Sequence, residues 1–160
     1  MLATQNDLSL ATRTKVVKLL NERLADAIDL GTQVKHAHWN VKGPNFIALH
    51  ELFDKLAGVI AEHVDTVAER PTALGGTAHG TLASVARATS LKPYPQNISE
   101  GAAHVKALAA ALAAFGAKVR AAIDASGKFG DADTADLFTG ISRDLDKHLW
   151  FLEAHLHARR

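Results

Sequence analysis

The sequence predicts an all-α fold, a bundle of four long helices with a short helix in the connection between the second and third. Three observations lead there. Apolar residues recur at three- and four-residue steps over long stretches, and no segment shows the apolar–polar alternation of a half-buried strand. One connection is long enough to run the length of a bundle. The 160 residues suit one domain with a substantial core, laid out as a short tail over 1–11, the bundle over 12–158 and a C-terminal end at 159–160.

The first helix is expected from Thr12 to Val41, with Val16, Leu20, Leu24, Ala27, Gly31 and Val34 on its inner stripe. "KGPN" breaks it, because proline disfavours helix in the residue before it and suits a helix start after it. The second runs from Phe46 to about Leu74 on Phe53, Leu56, Ile60, Val64 and Val67, with Pro71 and "LGG" marking its end. Residues 75–99, rich in Gly, Thr and Ser, form the long connection, and "TLASVARA" reads as a short helix inside it. Ser99 and Glu100 suit the start of a third helix over "AAHVKALAAALAAFGAKVRAAID", which "SGKFGD" is expected to end. Asp131 or Asp133 should cap the last helix, expected to reach about Ala158.

Composition narrows the chemistry. Apolar residues make 48% and charged residues 22%, ordinary for a globular protein, and a net charge of +1 provides no field that would draw nucleic acid or anionic membrane. The absence of cysteine excludes disulfides, zinc knuckles, Fe–S clusters and thiol catalysis. The opening "MLATQNDLSLATRTK" lacks the charged and apolar blocks of a signal peptide, and no uninterrupted apolar run has the length of a membrane span, so the expected compartment is the cytoplasm. Nine histidines are the deviation worth following.

On the second helix His50 and Asp54 are four residues apart, as are Asp65 and Glu69, and the step of eleven from Asp54 to Asp65 returns to nearly the same side. All four share one stripe. Asp54 and Asp65 nevertheless lie about 16 Å apart along the axis at ~1.5 Å per residue, too far for one metal with bonds of roughly 2 Å. A second copy of this helix, antiparallel about a two-fold near Gly58, Val59 and Ile60, would set Asp65 and Glu69 of the partner subunit opposite His50 and Asp54. Small Ala57, Gly58 and Ala61 would allow the close approach. His38 continues the inner stripe of the first helix four residues after Val34. With His50 and Asp54 it makes a two-histidine, one-carboxylate set suited to non-haem Fe(II). The two further acids make the site oxygen-rich, fitting Fe(II)/Fe(III) better than structural zinc, and Trp39 lies where oxidants made there would reach it. Against this, a His–Asp pair at i,i+4 is more often a solvent-facing pair worth a few tenths of a kcal/mol. On geometry alone the two readings stand level.

"KHAHWNVKGPNFIALHELFD" followed by "HVDTVAERPTALGGTAHGT" resembles the DNA-binding proteins from starved cells, the Dps branch of the ferritin-like superfamily. "YP" after the short helix and "DADTADLFTGISRDLDKHLWFLEAHL" are similar to later family segments, so the resemblance spans about residues 10–157. It implies a ferritin-like four-helix bundle assembled as a hollow dodecamer, a homo-oligomer with metal sites at two-fold interfaces. It also implies a ferroxidase that oxidises Fe(II), preferably with hydrogen peroxide rather than oxygen, and stores the ferric mineral. The implied ligands are His38, His50 and Asp54 with Asp65 and Glu69 of the partner subunit. Lys35 matches a family lysine placed to reach Asp65 and compete with a second metal, and Asp133 and Asp136 match acids of the three-fold iron-entry pores. For those two aspartates, helix capping and dipole compensation are the plainer roles.

The chain departs from the family in its tail. The first fifteen residues carry only Arg13 and Lys15 as cations against Asp7, few for phosphate binding, and Arg159 and Arg160 are the other candidates for touching DNA. His36 sits about 200° around the helix from His38 and should not share its site. His63, His79, His155 and the i,i+4 pairs Asp144/His148 and Glu153/His157 read first as surface or interface residues and second as secondary metal sites. Trp150 and Phe151 read as packing residues. The leading expectation is an iron-storing ferroxidase that removes peroxide and Fe(II) together. The rival is a nucleoid-associated protein that compacts DNA and whose metal site is secondary.

Overall fold

A computed structural model describes residues 1–157, which form five helices: α1 Leu10–Asn40, α2 Phe46–Ala73, α3 Leu82–Ala88, α4 Gly101–Phe129 and α5 Ala132–Ala154. No strand occurs among the described residues, only an isolated bridge between Lys42 and Glu100. α1 packs mainly on α2 and α4 on α5; contacts of α1 with α4 join the two hairpins, and α3 lies on α1. The expected bundle with a short helix in its long connection is the architecture observed.

Leu20, Leu24, Leu30, Phe53, Leu56, Ile60, Leu108, Leu112, Phe115, Phe138 and Leu145 are fully buried where the four long helices meet. Each such side chain contributes about 1.5–3 kcal/mol on removal from water. Gly31 and Val64, expected on the inner stripes, are only half-buried and face an outer groove between α1 and α2. α4 is long and apolar enough to span a membrane by length and composition, although Lys106, Lys118 and Arg120 interrupt its apolar run. Its bulky side chains, Val105, Leu108, Leu112, Phe115 and Val119, are all in the bundle core. Ile123 and Phe129 pack against that core from its edge, and the remaining apolarity of α4 is alanine.

Several boundaries differ from expectation, each for a local reason. α1 begins at Leu10 because Ser9 Oγ accepts the Thr12 N–H at 3.1 Å. α4 does not end at "SGKFGD" but continues to Phe129, with Ser126 buried and Phe129 packed against the core, so tertiary contact outweighs the poor helix propensity of Gly127. It stops at Gly130, whose φ of 84° is left-handed, and Asp131 N–H closes the turn on Ser126 O at 3.0 Å. Of the two candidate caps Asp131 is the one used. α5 ends at Ala154; Ala158, the expected end, and Arg159 and Arg160 lie outside the described residues.

The stretch before α1 is anchored to the far end of α2. Leu2 N–H donates to Gly75 O at 2.6 Å, Arg13 donates to the Leu8 and Leu74 carbonyls, and Leu8 packs against the core.

Candidate metal centre

α1 carries Lys35, His38 and Trp39 on its last turns, and α2, returned by the turn at residues 41–45, carries His50 and Asp54 on its first. The two imidazoles stack with ring centroids 3.8 Å apart. Each Nδ1 bonds the other residue's backbone carbonyl: His38 Nδ1 to His50 O at 2.8 Å, His50 Nδ1 to His38 O at 2.9 Å. Because a carbonyl only accepts, both Nδ1 atoms carry the ring proton when the rings are neutral, leaving both Nε2 lone pairs free. The bonds orient both rings and leave each Nε2 in the tautomer that could hold a metal. Phe46 packs at 5.1 Å from the His50 ring on its outer side.

Asp54 lies at the mouth of this pair with a side chain 60% exposed, its Oδ1 3.8 Å from His38 Nε2 and 2.8 Å from Lys35 Nζ. The hydrogen bond and charge of Lys35 hold its carboxyl below the usual carboxylate range. Within one subunit Lys35 engages Asp54. Its ammonium also sits 5.9 Å above the ring of Trp39, which is largely exposed.

Asp65 and Glu69 are exposed farther along the same side of α2 and form no ion pair in the described residues. Among those residues no group of three or more His, Asp or Glu side chains is gathered tightly enough to hold a metal. One subunit thus presents two aligned nitrogens and a lysine-held carboxylate, an incomplete set. Between Asp54 and Val64 runs an open groove of about 780 Å³ lined by Gly31, Lys35, Trp39, Ala57, Gly58 and Ala61. Its floor has the small residues expected to admit a second helix. Ile60 is fully buried, as its place on the inner stripe of the helix predicts, and Gly58 and Ala61 are exposed along the groove.

The other singled-out residues scatter. Asp131 is buried and receives Arg70 Nη2 at 2.8 Å; Asp133 on the first turn of α5 and Asp136 just beyond it stand exposed. Asp144 faces His63 Nε2 at 3.3 Å, while His148 Nδ1 donates to the Asp144 backbone carbonyl at 2.8 Å, so that i,i+4 pair does not form a chelate. His79 is exposed, and Trp150, expected to pack, is exposed too. His36 points away from the centre and packs its edge on Tyr94 at 5.2 Å. Sequence reasoning passed over His104, which is fully buried and bonded through Nδ1 to Tyr94 Oη at 2.7 Å. Its signal was its place at the head of the stripe His104, Leu108, Leu112, Phe115 on α4.

The bundle, with its two-histidine half-site at the α1–α2 turn, defines a chain of the ferritin-like class. A family described as the ferritin-like domain matches residues 17–160. The DNA protection during starvation protein of Agrobacterium fabrum is 49% identical over 98% of this chain and 96% of its own length. That of Brevibacillus brevis is 36% identical over 88% of this chain and 94% of its own length. Among solved structures, a Dps protein of Streptomyces coelicolor superposes with a TM-score of 0.95 at 32% identity, covering 99% of this chain and 93% of that one. A Mycobacterium smegmatis Dps superposes at 0.92 and 31%, covering 98% and 96%. The chain belongs to the Dps family of ferritin-like proteins.

Proposed function

We propose that this protein is an iron-storing ferroxidase. It takes Fe(II) as substrate at sites shared between two-fold-related subunits, oxidises it preferably with hydrogen peroxide, and keeps the ferric product inside a hollow dodecamer in the cytoplasm. The observation that supports this best is the pair of stacked, pre-oriented imidazoles, one of which has its Nε2 3.8 Å from the Asp54 carboxylate. His38, His50 and Asp54 bind the ferrous ion from one side; Asp65 and Glu69 of the partner subunit complete an oxygen-rich shell that favours the ferric state. Lys35 holds Asp54 until metal displaces it. Two one-electron oxidations matched to one peroxide give water and no hydroxyl radical, which protects whatever lies nearby. Asp133 and Asp136 mark the acidic entry at the three-fold axis.

The test is ferric absorbance in the near-ultraviolet after anaerobic Fe(II) loading and addition of peroxide, for the wild type and for the His50→Ala/Asp54→Ala variant. If the wild type oxidises iron no faster than buffer, the proposal fails. The names of its relatives favour a second reading, DNA compaction. The sparse cations of residues 1–15 and their anchoring on Gly75 weigh against it. A gel shift at low salt decides, and retardation of DNA that vanishes as salt rises would restore that role.

A further inference from the structure

His104 and Tyr94 pose a problem that the metal centre does not absorb. Tyr94 is 8% exposed and His104 is fully enclosed, and their polar atoms meet at 2.7 Å. The Nε2 atoms of His104 and of His36, the ring packed on Tyr94, are both buried without a partner. A structural hydrogen bond alone does not need a second imidazole, that of His36, packed beside it with its Nε2 unpartnered. Burial, then the neighbouring His36, hold His104 below the usual imidazole range, so it is a neutral base. Burial also holds the Tyr94 phenol above its ordinary value, so it keeps its proton and donates it to Nδ1. The nearby carbonyls of Ile98 and Asn40 favour the charged form of the His104 ring.

We propose that Tyr94 and His104 form a redox-active pair that completes peroxide reduction when only one ferrous ion is bound. This rests on the ferroxidase reading above. Fe(II) supplies one electron and becomes Fe(III). Tyr94 supplies the other as its O–H bond breaks and an N–H bond forms at His104 Nδ1, leaving a neutral phenoxyl radical beside an imidazolium. Peroxide accepts both electrons and two solvent protons, its O–O bond breaks, and two waters result. The route is short: His36 touches Tyr94, and two residues along α1 His38 belongs to the centre, so one helix thickness, about 10 Å, separates them. Trp39 is nearer but a poorer donor. Its ring lies under the Lys35 ammonium and open to water, and that cation opposes the positive charge an indole acquires on losing an electron.

Tyr94 is the chain's single tyrosine, so a tyrosyl signal can have no other origin. The assembled protein is loaded anaerobically with substoichiometric Fe(II), mixed with excess peroxide and freeze-quenched. Electron paramagnetic resonance and ferric absorbance are read on the same samples. A tyrosyl signal in the wild type is expected, lost in Tyr94→Phe and diminished in His104→Gln, which can accept the hydrogen bond but not the proton. Should Tyr94→Phe fail to assemble, ring-deuterated tyrosine in the wild type must collapse the hyperfine pattern. Ferric product with no tyrosyl signal, or with a tryptophan signal alone, overturns this proposal and leaves the ferroxidase standing. No ferric product overturns both.

Discussion

Removing the Asp131 carboxylate should cost far more than a lost helix cap, because that group also neutralises Arg70. Its Oδ1 accepts the Thr134 N–H at 3.0 Å and Arg70 Nη2 at 2.8 Å, its Oδ2 accepts Thr134 Oγ1 at 2.6 Å, and Arg70 Nε reaches Thr134 Oγ1 at 3.0 Å. The aspartate is only 2% exposed and the arginine 17%. Asp131→Ala removes the cap, about 1 kcal/mol. It also strands a mostly enclosed guanidinium; the 3–5 kcal/mol typical of a fully buried pair, discounted for the remaining exposure of Arg70, is about 2 kcal/mol. The total is roughly 3 kcal/mol, or a melting midpoint about 6–12 °C lower for a chain of this size. Circular dichroism melts at one fixed protein concentration measure it. In an Arg70→Met background the same substitution should cost only the cap, about 1 kcal/mol. Equal losses in the two backgrounds would show that the carboxylate and guanidinium do not depend on each other.

Other expectations follow from single contacts. Lys35→Met removes the cation that holds Asp54, so the Asp54 carboxyl should titrate higher and ferrous binding should weaken at a less acid pH than in the wild type; an unchanged pH profile of initial oxidation rate would contradict this. His104 is held neutral by burial, with its folded value below the unfolded one near 6.5. Its contribution to stability is present above about pH 6.5 and is lost as pH falls below that value toward the folded one, so His104→Gln should flatten the decline of melting midpoint over that window. At Gly75 φ is 79° and an added Cβ would come within 2.7 Å of the Leu2 carbonyl, so Gly75→Ala should free the N-terminal residues, seen as faster proteolytic trimming ahead of α1.

How far the fold could be read from sequence depended on where local signals agreed with packing. The five helices were legible because apolar spacing, "KGPN" and the Gly/Ser/Thr-rich connection all pointed one way. "SGKF" misled because serine and glycine signal an end to a helix that Phe129 and buried Ser126 keep in place by contact with other elements. His38 stacks on His50 and comes within 3.8 Å of Asp54 because the spacing on each helix is helical and the turn between them is short. Two features were not readable. The reciprocal Nδ1–carbonyl bonds depend on how the two helix ends meet, and the Tyr94–His104 pair joins a loop to α4 with no motif of its own.

The shared character of the site is open to a test that needs no structure of the assembly. His50→Ala/Asp54→Ala subunits lack one half of each site and Asp65→Ala/Glu69→Ala subunits the other, so each variant alone should be inactive. In a mixed two-fold pair, one site collects both sets of substitutions and the second collects none. With random co-assembly at equal amounts, about half of the pairs are mixed and one of the two sites in each is intact, so roughly one quarter of wild-type activity should return. A site contained within one subunit would stay inactive in every mixture, since no subunit then carries all five ligands. The exposure of Asp54, Asp65 and Glu69 fits the shared arrangement. Gathered in one place, the three carboxylates outweigh the single charge of Lys35 by two, and only a bound cation offsets that excess. Metal should therefore tighten the two-fold pair, and chelation should loosen it in the wild type but not in Asp65→Ala/Glu69→Ala.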